Sequence, residues 1–216
     1  MKSSLIIACD GEAASGKSTG AKLISKKYKL FHFNSGLLYR YASKIILKNK
    51  PNKIIPLLKK KFKFITYKKI KKQSLFTQEI SNHVGFLAKN KEVRILIKKI
   101  IKKIIKKNKR VCVEGRDIAS EILNKDPKYH LAFYFTCHIN IASQRRWKEL
   151  RESIPLNEVK RSLSKRTNMD KKRKYSPLKK VQDAILIKTD FLSKKEVLQK
   201  MSLAINKILI NSTGPL

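Results

Sequence analysis

Two glycines five residues apart, followed at once by a lysine and a serine, form the stretch of this chain best suited to chemistry: Gly11-Glu12-Ala13-Ala14-Ser15-Gly16-Lys17-Ser18-Thr19. The pattern G-x-x-x-x-G-K-[ST] describes a loop that cradles phosphate. Glycine at positions 11 and 16 permits dihedrals and close backbone approaches that a side chain would block, so several N–H groups can turn toward one phosphate. A helix beginning at the loop adds the positive end of its dipole. Lys17 is placed to reach the β- and γ-phosphates of a nucleoside triphosphate, and the Ser18 hydroxyl to ligate Mg2+.

Such a loop works only between a strand and a helix, and both are legible. Leu5 to Cys9 is a short apolar run that reads as a buried parallel strand. The residues from Lys17 to Lys26 place Ala21, Leu23 and Ile24 at helical spacing. Further runs read as strands at 30–33, 110–114, 131–136 and 184–187. Helices are expected from Leu37, over 77–88, over 92–107, over 139–150 and after Ser193. Ser35 is placed to cap the helix that starts at Leu37, and Ser193 with Glu196 forms a capping box. Val93, Leu96, Ile97, Ile100, Ile101, Ile104 and Ile105 make one apolar face, which reads as a crossover helix packed on the sheet. Residues 50–75 are rich in lysine and interrupted by Pro51 and Pro56. They have no clean period, so the expectation is a peripheral, mobile segment; 151–176 reads only as a charged stretch. Strands alternating with helices predict an α/β fold: a central parallel sheet of about five strands with helices on both faces.

Composition narrows the class. The net charge of +37 invites a nucleic-acid reading, but the excess is lysine spread over ordinary amphipathic segments, with few aromatics and no stacking motif. We therefore expect no specific nucleic-acid partner, only a salt-sensitive attraction for polyanions. No apolar run approaches the ~18–20 residues needed to span a membrane. The first apolar run ends at Cys9, too short for a signal peptide. Cys9, Cys112 and Cys137 include no C-x-x-C pair and are expected to be buried, reduced thiols of a cytoplasmic protein.

Several segments together resemble bacterial cytidylate kinases, which are nucleoside monophosphate kinases of the P-loop class. They are Asp10 to Thr19, Asn34-Ser35-Gly36-Leu37-Leu38-Tyr39-Arg40, Ile80-Ser81-Asn82 and Glu92-Val93-Arg94. To these add Glu114-Gly115-Arg116-Asp117-Ile118, Arg145-Arg146, the spaced Arg166, Asp170 and Arg173 before Ser176-Pro177-Leu178, then Asp183-Ala184 and Leu192-Ser193. The resemblance implies transfer of the γ-phosphoryl group from ATP, with Mg2+, to CMP or dCMP. It implies a single domain with core 1–43, 110–146 and 176–216, a monophosphate-binding insert at about 44–109 and a lid at about 147–175, acting as a monomer. By position it assigns the base or acceptor phosphate to Ser35, Arg40, Arg94, Arg116, Asp117 and Arg173. The pentose falls to Arg166 and Asp170, the transferring phosphoryl group to Lys17, Arg145 and Arg146, and the waters on Mg2+ to Glu114.

The residue types agree with that chemistry. An enzyme that joins two polyanions must offset their repulsion, and arginine suits this because its planar fork binds phosphate through two N–H groups. In a chain whose default cation is lysine, the seven arginines inside these motifs stand out. Departures from the family pattern are Glu12 for proline, Asn34 for aspartate, Gly85 for a serine that touches the sugar, Glu114 for aspartate and Lys188 for aspartate. Two other readings stay open at this point: a kinase of the same fold for UMP, dTMP or a metabolite, and a non-catalytic P-loop protein that binds nucleic acid.

Overall fold

A computed structural model of the protein describes residues 4–212. Five strands, β1 (Leu5–Gly11), β2 (Phe31–Asn34), β3 (Arg110–Glu114), β4 (Leu131–Thr136) and β5 (Ile185–Lys188), form one parallel sheet in the order β2-β3-β1-β4-β5. The alternation of side chains along a strand builds two cores. Leu5, Ile7 and Cys9 of β1 face one cluster, with Ala21 and Ile24 of α1 (Lys17–Lys27) and Val197, Met201 and Ile205 of α9 (Lys194–Ser212). Ile6 and Ala8 face the other, with Leu38 and Ala42 of α2 (Gly36–Asn49) and Ile97 and Ile101 of α6 (Lys91–Lys106). The expected layered α/β architecture is therefore present.

The helix ends follow local chemistry. Thr77 accepts from the Ile80 N–H and opens α5 (Gln78–Leu87), and Asn90 accepts from Val93 N–H and opens α6. Of the seven apolar positions expected on α6, Val93, Ile97, Ile101 and Ile105 are buried and the other three pack against the same core. The Ser193–Glu196 capping box is formed, with Ser193 N and Oγ both donating to Glu196 Oε2.

Two segments differ from expectation. Residues 50–75 are not peripheral: they contain α3 (Ile54–Lys63) and α4 (Tyr67–Lys71), and Leu58, Ile70 and Leu75 lie in the larger core. Each short helix buries a single apolar residue among lysines, which leaves too weak a period to recognise in sequence. Residues 151–176 contain α8 (Leu156–Lys171), entered through Pro155 and held to α7 (Ile139–Glu149) by buried Val159 and Leu163 at i, i+4 spacing. Leu58→Ala should lower unfolding stability by about 2–5 kcal/mol in urea titrations, the range for emptying a fully buried leucine site. A loss under 1 kcal/mol would show the segment to be as peripheral as its composition suggests.

Among the described residues no helix is long and apolar enough to cross a membrane. All three cysteines are free and buried, as expected; Cys9 and Cys112 on adjacent strands place their sulfurs 3.7 Å apart.

Candidate active site

The sheet brings the carboxyl ends of β1, β3 and β2 side by side, because Glu114 pairs with Cys9 on one flank and with Asn34 on the other. The loops that follow are stitched together by backbone bonds. Gly115 N donates to Cys9 O at 2.9 Å, and Ser35 N donates to Glu114 O at 3.0 Å. Ser35 stands at the N-cap position of α2 as expected, but its hydroxyl does not bond the helix end: it donates to the Glu114 carbonyl at 2.8 Å, so it fixes one loop to the next.

In the phosphate loop, Gly16 has φ 77°, a left-handed backbone that suits glycine, immediately before the first helical residue, Lys17. Gly11 lies against β4, where a Cβ would sit 2.4 Å from Phe135 O. Thr189 buttresses the loop from behind by donating its hydroxyl to Ser15 O at 3.0 Å. Asp10, the last residue before the loop, is buried and accepts the backbone N–H groups of Ile118 and Ala119 at 2.9 and 2.8 Å. It thereby anchors the π-helical turn Ile118–Ile122 that follows Arg116 and Asp117.

Lys17 is buried, with its ammonium 3.7 Å from Glu114 Oε2; the other Glu114 oxygen is 3.1 Å from His32 Nε2. Burial alone would raise the Glu114 carboxyl, but Lys17, His32 and Ser18 outweigh it and hold it at about 2. Burial, then repulsion from Arg116, pushes Lys17 down to about 8. Bound phosphates favour the charged ammonium, so nucleotide binding should take up a proton once the free protein begins to lose it. At pH 8 we expect uptake of about half a proton on ATP binding, rising toward one above that pH. Titration calorimetry in buffers of different ionisation enthalpy measures this directly, and zero uptake at pH 8.5 would contradict it.

Most of the remaining site residues lie in two ion-paired groups, one on Asp117 and one on Asp170. Arg94 forms a buried ion pair with Asp117, donates to Ala88 O and lies over the Tyr39 ring at 5.7 Å. Asp170 joins two arginines: Arg116 Nε donates to it at 2.9 Å, and Arg173 Nη1 lies 3.6 Å away. Burial would raise Asp170, but Arg116, Arg173 and Arg166 keep its carboxyl below the usual range. Arg40 is buried, donating to Leu75 O and Ser81 Oγ. Burial and neighbouring arginines push Arg166 down to about 9 and Arg40 to about 10. Guanidiniums stay charged in this range of conditions, so the crowding of positive charge is one that an anion would relieve. Arg94 Nε and Arg173 Nη2 are buried without a hydrogen-bond partner, two donors left for a ligand.

Arg145 and Arg146 part company. Arg145 is held by the 189–190 segment, donating to Thr189 Oγ1, Thr189 O and Asp190 O at 3.2, 2.7 and 3.0 Å. Arg146 pairs with Glu149 at 3.0 Å and faces the main cluster closely enough to depress Arg40 and Arg166. Gly85 turns its open side to α8, where a Cβ would lie 3.2 Å from the end of Met169. Sequence reasoning missed the roles of His32, Asp10 and Tyr39. For His32 a signal existed: it lies in β2 two residues before Asn34, on the same face, and Asn34 pairs with Glu114.

Known proteins related in sequence and in fold place the chain in a family. The sequence profile of the family described as cytidylate kinase matches residues 7–207. A cytidylate kinase of Aquifex aeolicus is 31% identical over 210 residues, spanning 90% of this chain and 93% of that protein. One from Clostridium tetani is 33% identical over 225 residues, spanning 97% of each. A solved structure of an uncharacterized protein from Eubacterium ventriosum shares the fold, with a TM-score of 0.57 over 94% of this chain and 99% of that one at 18% identity. With nearly the whole chain matched by the family profile and relatives above 30% identity along almost their full length, the chain belongs to the cytidylate kinase family.

Proposed function

We propose that the residues around the phosphate loop divide the work of a CMP/dCMP kinase between a donor half and an acceptor half. The chain transfers the γ-phosphoryl group of ATP to CMP or dCMP, giving ADP and CDP or dCDP in nucleotide metabolism. In our reading Gly11 to Thr19 hold the ATP phosphates, with Lys17 on the β- and γ-groups. Arg40, Arg94, Arg116, Asp117, Arg173 and Ser35 hold the acceptor's phosphate and base, and Arg166 and Asp170 its pentose. Arg146 serves the transferring group from the rim of the cluster. Arg145 would have to leave its bonds to Thr189 and Asp190 to join it. Catalysis of this kind is mainly positioning and charge neutralisation, and the acceptor phosphate oxygen is itself the nucleophile.

The single observation that carries this reading is the arginine–aspartate network, with unpartnered arginine N–H groups, set beside the phosphate loop. It favours a nucleotide acceptor over a nucleic-acid role, for which the lysines are too dispersed. Mg2+ fits the same place. Ser18 and Glu114 offer hard oxygen donors, and Glu114 Oε2 is buried without a hydrogen-bond partner. Among the described residues no group of three or more His, Cys, Asp or Glu could cage a metal, which suits an ion that takes most of its ligands from phosphate and water. When bound, Mg2+ supplies charge neutralisation to the ATP phosphates.

We further propose that 44–109 and 147–175 close over the two nucleotides as insert and lid, and that the enzyme acts as a cytoplasmic monomer. Chromatographic analysis of a reaction with ATP and CMP tests the activity. It should show ADP and CDP in equal amounts, and leaving out CMP should stop ADP formation. ADP accumulating at the same rate without CMP would point to a simple hydrolase.

A further inference from the structure

Glu12 is the one acidic residue within the phosphate loop, a negative charge in a structure whose task is to hold a polyanion. Its backbone cannot turn away. Glu12 N donates to Phe135 O at 3.1 Å, and its carbonyl accepts the Ser15 hydroxyl at 3.0 Å. Only the side chain is free to choose a direction, and it lies 2.6 Å from the ammonium of Lys171, the last residue of α8. The two residues are 159 positions apart. Phosphates arriving in the loop would meet an uncompensated carboxylate if Lys171 were not there, and like charges repel over several ångströms, most strongly at low ionic strength.

We infer that Lys171 is a positioning residue of the donor site, which neutralises Glu12 and turns it away from the phosphate-binding face of the loop. The inference rests on the reading of Gly11 to Thr19 as the ATP loop. Because Lys171 ends α8, the same ion pair seats that helix on the loop. A purely structural tie and a charge-cancelling one make opposite predictions for removal of Glu12: the former loses ATP affinity, and the latter gains it.

Titration calorimetry with ATP, without acceptor, separates them. Lys171→Gln should weaken ATP binding roughly five- to tenfold at low ionic strength, and the loss should shrink in 0.5 M salt, about where exposed charges are screened. Glu12→Gln should tighten binding, since it removes a negative charge from the loop while the positive charge of Lys171 remains nearby. The double variant should bind close to wild type, so that removing the carboxylate rescues the loss of the lysine. Wild-type binding in Lys171→Gln, or a double variant as weak as Lys171→Gln, would overturn the proposal while leaving the ATP site intact. A wild-type protein that binds no ATP would overturn the donor-site reading and this proposal with it.

Discussion

Lys17→Met is expected to lower kcat at least about 10³-fold, in line with the loss of a preorganised charge at a transferring phosphoryl group. The protein should remain folded. Lys17 is buried against Glu114 at 3.7 Å, so its removal takes one partner from a buried carboxylate. Glu114 keeps His32 at 3.1 Å, however. The methionine also relieves the burial of an ammonium that is already pushed down to about 8. These effects oppose one another, and the net cost should be about 1–2 kcal/mol, a fall of a few degrees in Tm. Near-native melting with kcat within tenfold of wild type would remove Lys17 from the chemistry.

Arg173→Ala should act on the other half of the site. Its side chain is 5% exposed and its Nη2 has no hydrogen-bond partner, so it is held ready rather than consumed by the fold. A charge-assisted bond to a ligand is worth about 1.5–3 kcal/mol, which corresponds to a CMP KM raised by roughly 10- to 100-fold. The ATP KM should change little, because the charge partner of Arg173 is Asp170 and not a residue of the phosphate loop. Asp170 is not orphaned, since Arg116 stays 2.9 Å away. Initial-rate kinetics with each substrate varied in turn would show the split; an unchanged CMP KM would displace Arg173 from the acceptor site.

How much of this was legible in the sequence depends on range. The strand, loop and helix around Lys17 are contiguous, and all the apolar signals of the sheet are local, so the fold class and the strand, loop and helix proposed to carry the donor site could be read directly. The arginines proposed for the acceptor half could be singled out because lysine is this chain's ordinary cation, which makes each arginine conspicuous. What could not be read was set by tertiary pairing. Nothing near Glu12 in sequence announces Lys171, and nothing near Ser35 says that its hydroxyl will bind a strand end rather than cap a helix. Segments α3, α4 and α8 were lost for a different reason. Each spends one or two apolar residues on the core and presents lysine or arginine elsewhere, so the burial of Leu58, Ile70, Val159 and Leu163 leaves almost no periodic trace. Nor does the sequence near Gly85 say that its open side will face Met169 of α8.

The most direct test is the acceptor profile. Coupled measurement of ADP release at moderate salt, with CMP, dCMP, UMP and dTMP compared at equal concentration, should give turnover with CMP or dCMP well above that with UMP or dTMP. Turnover favouring UMP or dTMP, or none with any monophosphate together with tight, salt-sensitive RNA binding, would contradict the assignment of the arginine network to a cytidine monophosphate.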